Sequence, residues 1–227
     1  MTVAPKLKKR TRSALSRALR NRDVQLRSRA VRTREYLDIG CGAHTHAQFI
    51  NLNYEWLRGV DLCWDVLQGL PLADGSLRGI FSEHVFEHLP LAAGDQVFKE
   101  CFRGLKPGGT LRIVLPDGER YLTGYARRLA GDDTPLPFAD GDAYAGIYTP
   151  IMSVNRIFGS FGHRFIYDYE TLRAILDRQG FVDIERCSFG RGRDPVLLID
   201  TEKREPESLY VEATKPCRAS ASVSRER

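Results

Sequence analysis

At 227 residues, with 42% hydrophobic and 10% aromatic side chains, the chain holds enough material for one substantial domain around a single core, which excludes collagen-like, wholly disordered and disulfide-stapled classes. Its net charge of +5 is unevenly spread: residues 1–34 hold 12 of the 34 Lys and Arg and a single acid, Asp23, so this arm carries +11 and the remainder −6. No apolar run approaches the roughly 18 residues that span a bilayer, and the cysteines Cys41, Cys63, Cys101, Cys187 and Cys217 are scattered without a CxxC pair, so the expectation is a soluble protein of a reducing, cytoplasmic setting.

In chain order, residues 1–34 read as a basic N-terminal extension with one amphipathic helix that places Leu15, Leu19, Leu26 and Ala30 near one face. Clustered Arg and Lys also suit contact with a nucleic acid or an anionic membrane, and the Arg- and Ser-rich composition resembles a mitochondrial transit peptide. From Glu35 short apolar runs alternate with glycine turns and helical stretches, which predicts an α/β sheet covered on both faces. The predicted strands are Tyr36 to Ile39, Phe49 to Leu52, Val60 to Trp64, Gly79 to Ser82 and Thr110 to Leu115. Leu91 to Leu105 predicts a helix, with Val97, Cys101 and Leu105 at spacings of four, stopped by Lys106-Pro107-Gly108-Gly109. Glu119 to Leu129 predicts another, after which periodicity fails between Ala130 and Arg164; a stretch this long suits a lid or binding insertion. Helix returns at Tyr169 to Arg178. Phe181 to Phe189 and Ser208 to Ala213 read as two closing strands in an antiparallel hairpin at the sheet edge, and the tail from Pro216 reads as disordered.

The first chemical signal is Leu37-Asp38-Ile39-Gly40-Cys41-Gly42, a strand running into glycines that let a ligand approach the backbone. The dinucleotide pattern would want a third glycine where Ala43-His44-Thr45-His46 stands, and no GK[ST] follows for a phosphate loop, so the turn suits a nucleoside without a diphosphate.

YLDIGCG, DVLQGLPLADGSLRGIFSEHVFEHL and CFRGLKPGGTLRIVLPD, in this order across residues 35–130, resemble the class I S-adenosylmethionine-dependent methyltransferases. HRFIYDYETLRAILDRQGF and ESLYVEATKP resemble the C-terminal half of a compact bacterial branch of the type 11 methyltransferases, often associated with saccharide modification. The resemblance implies a Rossmann-like α/β sandwich over residues 35–215, mostly parallel with an antiparallel edge strand, with residues 130–164 as its insertion. It implies S-adenosyl-L-methionine as cofactor, Asp38 organising its methionine amino group, Gly40, Cys41 and Gly42 at close approach, Asp65 accepting from the adenine amino group with Val66 beside it, and Ser82 flanking the methionine part. The ribose acid of the family is replaced by Asn53, whose amide accepts one hydroxyl but not two as a carboxylate does, with Asp61 the alternative. A second departure is the short interval between Gly42 and the next strand, which leaves the first helix very short or missing and one face of the pocket to be covered by the arm or an adjacent chain.

His84-Val85-Phe86-Glu87-His88 also spells HxxEH, the inverted zincin pattern; on a helix His84 and His88 would share a face and reach one zinc ion, with Glu87 as base. It follows a strand directly and Pro90 interrupts it, so the peptidase reading ranks last and no metal is assigned. For methyl transfer to a hydroxyl, a base near neutrality is needed, and the candidates in order are His84, His163 and Glu83, against the plain alternative of capping or core hydrogen bonds. His44 and His46 suit the pocket mouth, and Tyr121, Tyr125, Tyr144, Tyr148, Tyr167 and Tyr169 suit stacking on sugar rings. SEHV stands where an NPPY-type tetrad would direct amino methylation. The expected acceptor is a saccharide or small-molecule hydroxyl; RNA methylation and a catalytically weak binding module are the alternatives.

Overall fold

The computed structural model describes residues 13–139 and 144–217. Its strands are β1 (Tyr36–Ile39), β2 (Phe49–Asn53), β3 (Leu62–Cys63), β4 (Leu77–Glu83), β5 (Leu105–Pro116), β6 (Val182–Cys187) and β7 (Ser208–Thr214). Its helices are α1 (residues 13–19), α2 (Arg29–Thr33), α3 (Leu91–Gly104), α4 (Gly118–Leu129), α5 (Pro150–Gly159) and α6 (Tyr169–Arg178). The strands form one sheet in the order β3-β2-β1-β4-β5-β7-β6, parallel from β3 to β5, with β7 antiparallel to both β5 and β6.

Because side chains alternate across a strand, odd and even positions build separate layers. Leu37, Ile39, Ile50, Leu52, Ile80 and Leu111 point into the main core against Val97, Phe98 and Cys101 of α3 and Leu172, Ile175 and Leu176 of α6. The opposite face presents Phe49, Phe81, Val114 and Tyr210, and Leu197 from the β6–β7 connection packs on them where a helix would otherwise lie. No helix joins β1 to β2, so this connection supplies the cover. Parallel strands buried on both faces explain why the local sequence is apolar almost throughout.

Four expectations are corrected. The single amphipathic helix of the arm is broken at Asn21, which takes a positive φ of 59°, donates its N–H to Cys63 O at 3.1 Å and accepts from Asp65 N at 2.8 Å. The third strand shrinks to Leu62–Cys63, because Gln25 of the arm pairs with its edge, Oε1 accepting from Cys63 N at 2.7 Å and Nε2 donating to Cys63 O at 3.4 Å. Residues 106–109, expected as a helix stop, lie within β5, since α3 has already ended at Gly104. Finally, the insertion contains α5, whose start signal was present as Thr149 before Pro150 at the first turn. Residues 1–12 of the arm and the tail beyond Cys217 lie outside the described residues.

Candidate active site

In an open parallel sheet, ligands bind beyond the carboxyl ends of the strands where the order reverses. Here that point lies beside β1, between β2 and β4, and three adjoining cavities gather there.

The first, about 520 Å³, is lined by Ile39, Gly40, Leu52, Asn53, Trp64, Asp65, Val66, Val85 and Leu89, among others. Gly40 turns the chain out of β1 with φ 81°, and a Cβ there would collide with Val85 Cγ2, so only glycine keeps this wall. Asn53 donates through Nδ2 to Glu55 O at 2.6 Å, which leaves Oδ1 as its acceptor. Asp65 caps the short 3₁₀ turn Val66–Gln68, accepting from Leu67 N at 3.0 Å. The arm buttresses this wall: besides Asn21 on Asp65, the Arg20 guanidinium lies 3.6 Å from the centroid of Tyr54.

The second, about 120 Å³, shares Gly40 with the first and is lined by Asp38, Cys41, Gly42, His44, His46 and Glu83, with Thr201, Lys203 and Arg204 opposite. Burial, and secondarily the charge of Glu83, push the Asp38 carboxyl up to about 8. Burial pushes the Cys41 thiol upward and lowers His46. Glu83 is held here by Thr201, whose N–H donates to Oε1 at 2.9 Å, and not beside the other candidate bases. Ser82 is wholly buried, donating to Ile39 O at 3.1 Å, and lines none of the three cavities.

The third, about 580 Å³, is lined by His84, Glu87, His88, Phe138, Arg156, Phe161, His163, Arg204 and Glu207. His84 and His88 line the first cavity as well, so they stand between the two chambers. The HxxEH segment is not an α-helix: His84 has φ 52° and only Phe86–His88 form a 3₁₀ turn, because the chain must swing from β4 across the end of β1. His84 Nε2 lies 2.9 Å from Ser208 Oγ, which donates onward to Arg204 O at 2.8 Å. With that hydroxyl proton committed, Nε2–H donates and Nδ1 keeps its lone pair. Burial, reinforced by Arg204 and the neighbouring histidines, holds His84 neutral, its pKa lowered to about 2.

The structure thus brings Asn53, Asp65 and Val66 together, Asp38, Cys41, Gly42 and Glu83 together, and His84 with His163. Asp61 is occupied elsewhere: Oδ2 accepts from Arg34 at 2.8 Å and from Asn51 N and Nδ2, each at 2.9 Å. The tyrosines expected to stack on sugars do not line the third cavity; Tyr121 and Tyr167 are buried, and its aromatic walls are Phe138 and Phe161. Thr201, Arg204 and Glu207, which no sequence signal singled out, come from the long β6–β7 connection, and Arg156 from α5; neither segment carries a motif.

Residues 60–113 match the family model described as "Methyltransferase domain". A "Probable S-adenosylmethionine-dependent methyltransferase" of Mycolicibacterium smegmatis is 31% identical over 137 residues, 52% of this chain and 50% of that protein, so the match spans half the length of the curated relative. A phosphoethanolamine N-methyltransferase 2 of Haemonchus contortus, solved with S-adenosylhomocysteine and phosphomonomethylethanolamine, aligns with a TM-score of 0.50 at 14% identity, over 81% of this chain and 49% of that one. An S-adenosylmethionine-dependent methyltransferase from Archaeoglobus fulgidus aligns over 90% of this chain and 94% of that one, with 19% identity and a TM-score of 0.49. The fold is that of the class I methyltransferases. Within this methyltransferase fold the family-matched segment runs from the approach to β3 into β5 and so includes Asp65, Val66 and residues 84–88, while the glycine turn lies ahead of it.

Proposed function

We propose that the chain is an S-adenosylmethionine-dependent methyltransferase that methylates a hydroxyl of a saccharide or other small molecule. One observation carries this reading: His84 and His88 stand between a mostly apolar cavity at the glycine turn and a larger polar one. The first suits an adenosine, with Asn53 Oδ1 for a ribose hydroxyl, Asp65 for the adenine amino group and apolar Val66 and Leu89 for its faces. Asp38 and the backbone of Gly40 to Gly42 suit the amino-acid end. When bound, S-adenosylmethionine supplies a methyl group already activated on sulfur, which passes to the acceptor oxygen as the carbon–sulfur bond breaks and the hydroxyl proton leaves.

This chain's residues then have two tasks, alignment of the acceptor and disposal of that proton. Phe138 and Phe161 offer apolar walls, Arg204 and Glu207 polar ends. His84 offers the Nδ1 lone pair at the boundary, but a histidine held so firmly neutral is a weak base for an alcohol, and the cavity must lower the hydroxyl's proton affinity by other means.

Asp65→Ala is expected to weaken S-adenosylhomocysteine binding about tenfold or more, the worth of one hydrogen bond to a charged group. Calorimetric titration measures this; an unchanged affinity would put the adenosine elsewhere.

A second reading, contact with RNA or an anionic membrane through the arm, is favoured by the exposure of Arg17, Arg22, Arg27, Arg29 and Arg32. Its test removes residues 1–12 only, since residues 16–31 support the sheet edge. That truncation deletes Lys6, Lys8, Lys9, Arg10 and Arg12 and is expected to flatten the salt dependence of RNA binding by roughly one unit of slope for each phosphate that is no longer neutralised. An unchanged slope removes this role for them.

A further inference from the structure

Among the described residues, Glu87 is a buried acid with both carboxylate oxygens unpartnered. It is fully buried and lines the third cavity. Burying a carboxylate without partners is costly, and proteins ordinarily pair such a group, neutralise it or bind a cation with it. Three features favour the cation. Ligand atoms of Glu87, His88 and His163 all lie within 4.8 Å of one another, the spacing of donors around a single ion. His163 Nδ1 bonds Ile157 O at 2.6 Å, which makes Nδ1 the protonated nitrogen and leaves the Nε2 lone pair as donor. Metal-bound histidines are held by such an outer bond. His84 Nδ1, with its own lone pair, stands 3.4 Å from Glu87 Oε1, so the nearest nitrogen to the carboxylate is no proton donor and does not satisfy it.

We propose that Glu87, His88 and His163 form a divalent-cation site in the third cavity, of the zinc class, with an open position for the acceptor hydroxyl. Two imidazoles and one carboxylate are a borderline N/O set that suits Zn²⁺ and leaves a fourth position to a substrate or water. The site differs from the HxxEH arrangement, since its second histidine comes from the insertion, 75 residues beyond His88, and is brought across by α5. Its rings already meet edge to face, with centroids of His88 and His163 5.0 Å apart. The inference deepens the proposed function: an ion there would hold the acceptor oxygen beside the cofactor chamber and lower its proton affinity, so that a neutral imidazole or water suffices to take the proton. Arg204 and Arg156 line the same cavity and oppose a cation; Glu207, paired with Arg156 at 3.4 Å, offsets the second of them.

The test titrates the full chain, freed of metal by chelation, with ZnCl₂ and with MnCl₂ in calorimetry, and separately with S-adenosylhomocysteine. Expected are one equivalent of zinc, manganese bound more weakly, and a zinc-dependent rise in Tm. Glu87→Gln, His88→Gln and His163→Gln should each weaken zinc by more than about 100-fold, beyond the loss of an outer partner. Glu87→Gln should leave the metal-free Tm unchanged or higher, because it replaces a buried carboxyl whose oxygens have no hydrogen-bond partner, a result that a carboxylate holding the fold together would not produce. The exposed His88→Gln keeps the test open if a buried variant fails to fold. No zinc binding with S-adenosylhomocysteine still bound overturns the metal site alone; zinc bound equally by the three variants overturns it too. Zinc bound as expected with no affinity for S-adenosylhomocysteine supports the site and sinks the methyltransferase reading.

Discussion

Arg112→Met is expected to cost about 3–5 kcal/mol of folding free energy, the penalty for removing one partner from a buried charge network. The Arg112 guanidinium, wholly buried, grips Asp200 with Nε to Oδ1 at 2.8 Å and Nη2 to Oδ2 at 2.5 Å, and Nη1 donates to Glu212 Oε1 at 3.0 Å. It also donates to Arg191 O at 3.0 Å and Ser188 O at 3.2 Å. Without it two carboxylates remain inside with no guanidinium opposite them, while methionine recovers only part of the packing. The loss reaches the site, because Asp200 precedes Thr201 and Arg204, and this arginine is one of the ties that hold the 188–207 connection to the sheet, beside Thr201 on Glu83 and Tyr36 on Asp194. Urea denaturation followed by circular dichroism measures the change. Arg112→Met combined with Asp200→Leu and Glu212→Leu should recover much of it, since an apolar trio leaves no orphan charge. A loss below about 1 kcal/mol, the worth of an exposed pair, would contradict the network.

Affinity for S-adenosylhomocysteine is expected to rise with pH up to about 8 and then level off, by as much as about tenfold per pH unit. The cause is Asp38, whose carboxyl burial and Glu83 raise to about 8. At pH 6 it is protonated in the free protein; the ligand's ammonium favours the carboxylate, so binding expels a proton. Glu83, His44, His46, Lys203 and Arg204 face the same cavity, so comparison with Asp38→Asn is what isolates the contribution of Asp38. The sign for stability is opposite. A group whose folded pKa is raised contributes stability fully below its unfolded pKa near 3.8 and loses it as pH rises through about 8. The ligand-free protein should therefore become less stable across that range on account of this residue. Asp38→Asn should bind weakly at every pH, with no slope, and remove that part of the stability trend. Calorimetry in buffers of different ionisation heat counts the proton; equal slopes for wild type and Asp38→Asn would refute the assignment.

Much of the fold was legible locally. Tyr36 to Ile39 and Tyr169 to Arg178 appear with the expected ends, because doubly buried parallel strands read as unbroken apolar runs and amphipathic helices as periodic ones. That Gly40, Asn53, Asp65 and Val66 would share one cavity was legible too, since they come from strand ends that the α/β topology places side by side. Arg112 carries no such signal: a lone charge inside an apolar strand, it is the anchor of one face of the sheet.

The third cavity could not be read in this way. Its walls come from the segment after β4, the insertion with its helix α5, and the β6–β7 connection, three stretches far apart in the chain and lacking any shared period. Periodicity reports which side of a strand or helix is apolar, and so it fixes layers and strand ends. It carries nothing about which distant loops meet, because that follows from crossover connections and from the bonds that close them, such as Arg164 N on Glu87 O and Arg112 on Asp200. The cavity at the glycine turn is thus a property of local pattern, and the third cavity, with Glu87 stranded among histidines, a property of the folded chain alone.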